Sequence, residues 1–183
     1  MGLVNWLSLW SLNIPEFYPY HFSPYQLITY MFTHQSFTHL FFNMFAVYMF
    51  GRTLESYWGP KRFLIYYMVT GIGAGLIQLL VCYLQGIYAP TIGASGAVFG
   101  VLLAFGMIFP NIPLYLFFVP VPIKAKYMVL GYGLLELYYG IANKVGDNVA
   151  HFAHLGGMLF GIILILYWKK RGGNNTFFRT DYF

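Results

Sequence analysis

Long apolar runs recur along the chain at 37–54, 63–84, 92–109, 127–141 and 149–168, separated by short stretches rich in Gly, Pro and charged residues. About 20 helical residues, each rising ~1.5 Å, cross ~30 Å of hydrocarbon, so the pattern predicts five transmembrane helices. The fourth run is the most interrupted, with Glu136 and three glycines inside it and Lys124 and Lys126 snorkelling at one end. Residues 110–122 are apolar but carry four prolines, which reads as an interfacial connection lying on the membrane. The segment 3–12 is too short to span, is followed by Pro15, Glu16 and Pro19, and lacks the features of a signal peptide.

Composition supports a lipid environment: 59% of the 183 residues are apolar and 8% charged, against about 25% charged in soluble domains. The fold class expected is therefore an all-α polytopic membrane bundle of about five spans forming a single domain over 1–183. Within it, residues 1–36 form an outer loop region, 37–168 the helical bundle and 169–183 a tail. The lone cysteine, Cys82, can form no disulfide within the chain and reads as a small core residue.

Nine of the ten Lys and Arg residues fall on one side of this arrangement: Arg52, Lys61, Arg62, Lys124, Lys126, Lys169, Lys170, Arg171 and Arg179. The positive-inside rule makes that side cytoplasmic and leaves residues 1–36 outside, so the chain enters from outside and ends inside. The formal charge of +5 is then a signal of topology and of contact with anionic lipid. No nucleic-acid motif accompanies it, and no nucleic-acid partner is expected.

Polar groups inside apolar runs are costly in hydrocarbon and mark function. His39, Ser95 and His154 each lie within the first turns of a run that starts on the outer side, so three separate stretches bring polar chemistry to one depth. Asn43, four residues after His39, shares its helical face. Gly96 and Gly100, and Gly157 and Gly161, repeat at four-residue spacing, which lets helix backbones approach closely. Close approach would bring the His154 imidazole to the Ser95 hydroxyl, the contact that activates a serine nucleophile.

Ser95 lies in Gly93-Ala94-Ser95-Gly96, where its hydroxyl is unobstructed and a helix start offers free backbone N–H groups to an oxyanion. His154 is the candidate base, and the Asn43 amide, the His39 ring and the Ser95 N–H are the candidate oxyanion donors. No acid obviously orients His154: Asp147 lies in a loop and Glu136 reads as solvated near the outer end of its run, so a dyad is more economical than a triad. His21, His34 and His151 read as structural or interfacial, with His34 bracing the outer loop by hydrogen bonding. Arg52 with Glu55 reads as a capping or ion-pair feature at the inner surface. A lone Gly-Ala-Ser-Gly is more often helix packing than chemistry, so the weight falls on the combination.

The combination of His39-Leu40-Phe41-Phe42-Asn43, Gly93-Ala94-Ser95-Gly96 and Ala153-His154-Leu155-Gly156-Gly157, in this order and spacing, closely resembles the rhomboid intramembrane serine proteases. Gly51-Arg52-xx-Glu55 followed by Trp58-Gly59 resembles the same family, and the likeness covers about residues 25–170. The resemblance implies peptide-bond hydrolysis by Ser95 and His154 in a water-filled cavity open to the outside, with His39 and Asn43 at the oxyanion. Membrane-anchored protein substrates with small residues at the cut, and a lateral gate near the fourth span, are implied with it; Gly93, Gly96, Phe99, His34 and Gly157 become supporting residues. No cofactor and no metal ligand is expected.

Three features depart from the family pattern. The family pattern leads to the expectation of a first span ahead of the outer loop, and residues 1–36 read as though the chain began inside that loop. The loop's Trp-Arg pair has no counterpart, since Tyr25 and Gln26 stand at about that place. Phe99 stands where many members carry a tyrosine against the catalytic histidine.

Metalloprotease chemistry is disfavoured because His151-x-x-His154 lacks the glutamate of a His-Glu-x-x-His helix. An aspartyl protease would need two aspartates within spans, and Asp147 and Asp181 are the only ones present. The remaining alternative is a non-catalytic rhomboid-like protein that binds or sorts transmembrane clients. The placement expected is the bacterial cytoplasmic membrane, in an oligomeric state that the sequence leaves open.

Overall fold

The structure, a computed structural model, describes residues 2–115, 121–142 and 149–172. It is a bundle of helices with one short hairpin. The predicted loop 143–148 with Asp147, and the tail beyond Gly172 with Arg179, lie outside the described residues.

Helices α1 (Leu3–Leu7) and α2 (Gln26–Thr29), the latter running into a 3-10 turn at Tyr30–Phe32, belong to the outer loop region. Leu9 pairs with Thr91 through two 2.9 Å backbone hydrogen bonds, which ties this region to the segment preceding Ser95. Leu9, Tyr30, Met31, Leu79 and Ala97 bury one another beneath it.

Ser36 starts α3 (Phe37–Ala46): its extended backbone leaves the hydroxyl free to accept from the His39 N–H at 3.1 Å. The helix continues through a π-helical turn, Val47–Gly51, into α4 (Arg52–Trp58). Arg52 donates to the Tyr48 hydroxyl at 3.2 Å rather than pairing with Glu55. Gly59, with φ of +82°, makes the turn that a side chain would strain, and Pro60 opens α5 (Pro60–Gln85).

The third predicted span becomes α6 (Ser95–Ile108), which begins three residues later than the apolar run and has 14 residues. At ~1.5 Å per residue it is about 21 Å long, shorter than the hydrocarbon layer. Residues Pro113–Leu114 and Ile123–Lys124 form a two-stranded antiparallel hairpin where an irregular interfacial connection was expected. Two helices complete the bundle, α7 (Ala125–Ala142) and α8 (His151–Gly172).

Among the described residues, α5 and α8 are long and apolar enough to cross a membrane unaided. The two pack extensively on each other and on α6, which is nearly buried. The core at the basic end joins Leu54, Trp58, Tyr66, Val101, Phe105 and Ile165. Outward faces stay apolar, as with Leu80, Leu84, Leu130, Leu134 and Ile163, which suits a surface facing lipid. Helix α7 is peripheral, burying only Ala125, Met128 and Val129.

Candidate active site

Ser95 is the first residue of α6, and its hydroxyl lies 2.7 Å from Nε2 of His154, the fourth residue of α8. Small residues make that approach possible: a Cβ at Gly96 would collide with Ala74 and sit 3.3 Å from the Ala153 carbonyl, and one at Gly157 would fall on the Gly96 carbonyl. The Ser95 hydroxyl and the His154 imidazole are thus held together by the backbone contact of the two helices that carry them. Phe99, one turn below Ser95, stacks on His154 with ring centroids 4.3 Å apart and planes within 8°. The aromatic ring fixes the imidazole plane without offering a hydroxyl.

Gly93 adopts φ of +112°, and the His39 ring lies against it where a Cβ would come within 2.7 Å of Cε1 and Nε2. His39 is thereby set beside the Ser95 turn. The Asn43 side-chain amide donates one of its two N–H groups to the His39 carbonyl at 2.8 Å within its own helix, which leaves the second for an acceptor in the cavity that Asn43 lines. As the first helical residue, Ser95 supplies one of the N–H groups that a helix start leaves without an intrahelical acceptor.

His34 does not brace the loop as expected: its Nε2 is buried with no hydrogen-bond partner among the described residues, and the ring packs edge-on to His39 with centroids 5.1 Å apart. Burial, with His39 beside it, holds His34 below the usual imidazole range. A cavity of about 1010 Å³ opens onto the group, lined by His39, Asn43, Ser95, His151 and His154 among others.

The residue that sequence reasoning misplaced is Glu136. Its side chain is 13% exposed and turned inward from α7, with Oε2 at 2.6 Å from His151 Nδ1 and 2.9 Å from His154 Nδ1. The first contact is an aligned hydrogen bond. The second lies off the N–H axis of His154 and satisfies distance without satisfying direction, leaving Nδ1 with no aligned partner. The signal available in the sequence was the carboxylate itself, since an acid inside an apolar run needs a partner.

These three side chains are also the residues whose donors could hold a metal ion, their ligand atoms all lying within 4.8 Å of one another. Ligand atoms bound to tetrahedral zinc at 2.0–2.1 Å stand about 3.3 Å apart. Contacts of 2.6 and 2.9 Å are tighter than that and describe a carboxylate paired with two imidazoles.

A family model described as the Rhomboid domain matches residues 21–171. Rhomboid protein 1, mitochondrial, of Saccharomyces cerevisiae is 36% identical over 130 residues, covering 70% of this chain and 37% of its own length. Presenilin-associated rhomboid-like protein, mitochondrial, of Homo sapiens is 28% identical over 147 residues, covering 70% and 35%. Rhomboid-like protein 11, chloroplastic, of Arabidopsis thaliana is 32% identical over 148 residues, covering 70% and 46%. The chain thus spans less than half the length of these relatives. They are mitochondrial and chloroplast proteins of eukaryotes, which corrects the expected placement in a bacterial cytoplasmic membrane: charge bias orders the two sides of a membrane and does not say which membrane it is.

Proposed function

The chain belongs to the rhomboid family, and on that premise we propose that it is an intramembrane serine endopeptidase acting on membrane-anchored proteins through Ser95 and His154. One observation carries the reading: the 2.7 Å contact between Ser95 Oγ and His154 Nε2, made by two separate helices in the lining of a cavity that His39 and Asn43 also line. In the first step His154 Nε2 takes the Ser95 proton as Oγ bonds to the substrate carbonyl carbon, and the carbonyl π pair moves onto oxygen. The Ser95 N–H, the His39 ring and the second N–H of the Asn43 amide receive that oxyanion. The C–N bond then breaks, the imidazolium gives its proton to the leaving amine, and water attacks the acyl-enzyme by the reverse proton path.

The 14-residue α6 and the cavity at its N-terminus support a site set below the membrane surface, with water entering through the cavity and a transmembrane substrate arriving from the side. The peripheral packing of α7 supports lateral entry beside it. The mitochondrial and chloroplast relatives favour an organellar membrane as the working site. A single domain over residues 1–183 is part of the same proposal.

The test is cleavage of a transmembrane reporter by the purified chain in liposomes, with Ser95→Ala and His154→Ala alongside. Both variants should be inactive while keeping the parent's thermal midpoint, because the pair acts as one unit. Cleavage by Ser95→Ala at the parent's site and rate would dismiss the reading. Reporter capture without cleavage by the parent chain would favour the client-binding alternative.

A further inference from the structure

We propose that Glu136 completes the Ser95–His154 pair as a positioning residue, so that the chain works with a serine, a histidine and a carboxylate instead of a dyad. The inference rests on the serine-protease reading above and adds the residue behind the base. Three observations carry it. The carboxylate Oε2 stands 2.9 Å from Nδ1 of His154, on the far side of the ring from the nitrogen that faces Ser95 at 2.7 Å. Both side chains are largely withdrawn from solvent, His154 at 7% exposure. His154 Nδ1 has no other partner among the described residues.

The chemical consequence follows from where charge develops. When Nε2 accepts the Ser95 proton, the ring becomes a cation in a site of low polarity, and an anion beside Nδ1 is worth more there than in water. The carboxylate also selects the tautomer with the proton on Nδ1, which is the one that leaves the Nε2 lone pair aimed at Ser95.

His151 anchors the other side of the arrangement through its 2.6 Å hydrogen bond to the same Oε2, and the Tyr139 ring stacks over His151 with centroids 5.7 Å apart. The carboxylate is therefore held by α8 at two points one helical turn apart. The off-axis approach to Nδ1 becomes an aligned hydrogen bond with a small rotation of the ring, a tightening common between resting and reacting geometries.

In aligned triads the Asp→Asn change lowers kcat by about 10⁴. A contact made off the N–H axis and shared with a second imidazole should be worth less, roughly 10- to 100-fold. The experiment compares Glu136→Gln, His151→Asn and the parent in the liposome cleavage assay, with the rate of Ser95 modification by a fluorophosphonate as a second readout.

Glu136→Gln should lower kcat and the modification rate together, with KM and thermal midpoint close to the parent's. His151→Asn removes one of the carboxylate's two anchors and keeps the charge, so it should lose less kcat than Glu136→Gln. Equal losses in both variants would make Glu136 a tether between helices and overturn the inference, as would an unchanged kcat in Glu136→Gln. Should Glu136→Gln fail to fold, the shape-matched pair Glu136→Asp and Glu136→Asn makes the same comparison. The charged member should be the faster, and equal kcat values would count against the proposal.

Activity lost to a chelator and restored by zinc would also overturn it, by recasting the three side chains as ligands. Cleavage that persists in Ser95→Ala defeats the serine-protease reading and this inference with it. Cleavage absent in Ser95→Ala yet unchanged in Glu136→Gln defeats the inference alone.

Discussion

Replacing Gly157 by alanine adds one methyl group at the tightest contact between the helix carrying Ser95 and the helix carrying His154. The new Cβ would fall on the Gly96 carbonyl oxygen and 2.7 Å from its carbon, whereas a relaxed C···O contact needs about 3.3 Å or more. The obstacle is backbone, so no side chain can rotate away and the helices must part by about 1 Å. Gly96 adjoins Ser95 and Gly157 lies three residues after His154, so most of that displacement reaches the 2.7 Å Oγ–Nε2 contact and carries it beyond hydrogen-bond reach. Overpacking of this kind costs about 1–3 kcal/mol of stability, and a ~1 Å misplacement of reacting groups costs about 10²-fold in rate. The assay is cleavage of a transmembrane reporter in liposomes beside thermal unfolding in detergent, with Gly131→Ala as control because nothing lies within 4 Å of a Cβ there. Gly157→Ala should lose about two orders of magnitude in kcat with a lowered midpoint, and Gly131→Ala should match the parent. Parent-like turnover in a folded Gly157→Ala protein would refute the claim that backbone contact between α6 and α8 sets the catalytic distance.

Tyr66 is fully buried and donates to the Gly100 carbonyl at 2.9 Å, joining α5 to α6; Tyr66→Phe should lower stability by about 0.6–1.7 kcal/mol, read by thermal unfolding, with cleavage retained. Gly93→Ala would strain a backbone at φ of +112° and drive a methyl into the His39 ring, so turnover should fall about 10²–10³-fold with Ser95 still open to a fluorophosphonate; normal turnover would remove His39 from the oxyanion. The Glu136→Gln and His151→Asn comparison stands beside these as the test of the carboxylate behind the base.

Much of the architecture was legible because bilayer thickness imposes itself on sequence. The runs at 63–84 and 149–168 differ from α5 and α8 by a few residues at each end, and the level shared by His39, Ser95 and His154 followed from counting turns. The start of α6 at Ser95 was less visible, since Ile92 and its neighbours are apolar yet spend their backbone bonds on the outer loop, where Gly93 N–H donates to the Tyr30 carbonyl at 2.9 Å. The π-helical turn at Val47–Gly51 left no periodic signature. Glu136 was misread because the rotation of α7 decides whether it meets water or His154, and an almost uniformly apolar helix encodes that rotation only in its contacts. Asn43 lines the same cavity as His39, as its helical spacing implied, with one of its two amide N–H groups taken by the His39 carbonyl. The membrane that hosts the protein was beyond the reach of charge counting, which orders two sides without identifying either.

The central claim is that Ser95 is a nucleophile activated by His154 across the α6–α8 contact. Its most direct test is mass spectrometry of the purified chain after exposure to a fluorophosphonate, with the adduct mapped by peptide fragmentation. The account predicts a single covalent adduct on Ser95 that is absent in Ser95→Ala and suppressed in a folded His154→Ala protein, alongside loss of reporter cleavage. An unmodified Ser95 in a parent chain that cleaves the reporter, or equal modification with and without the imidazole, would contradict it.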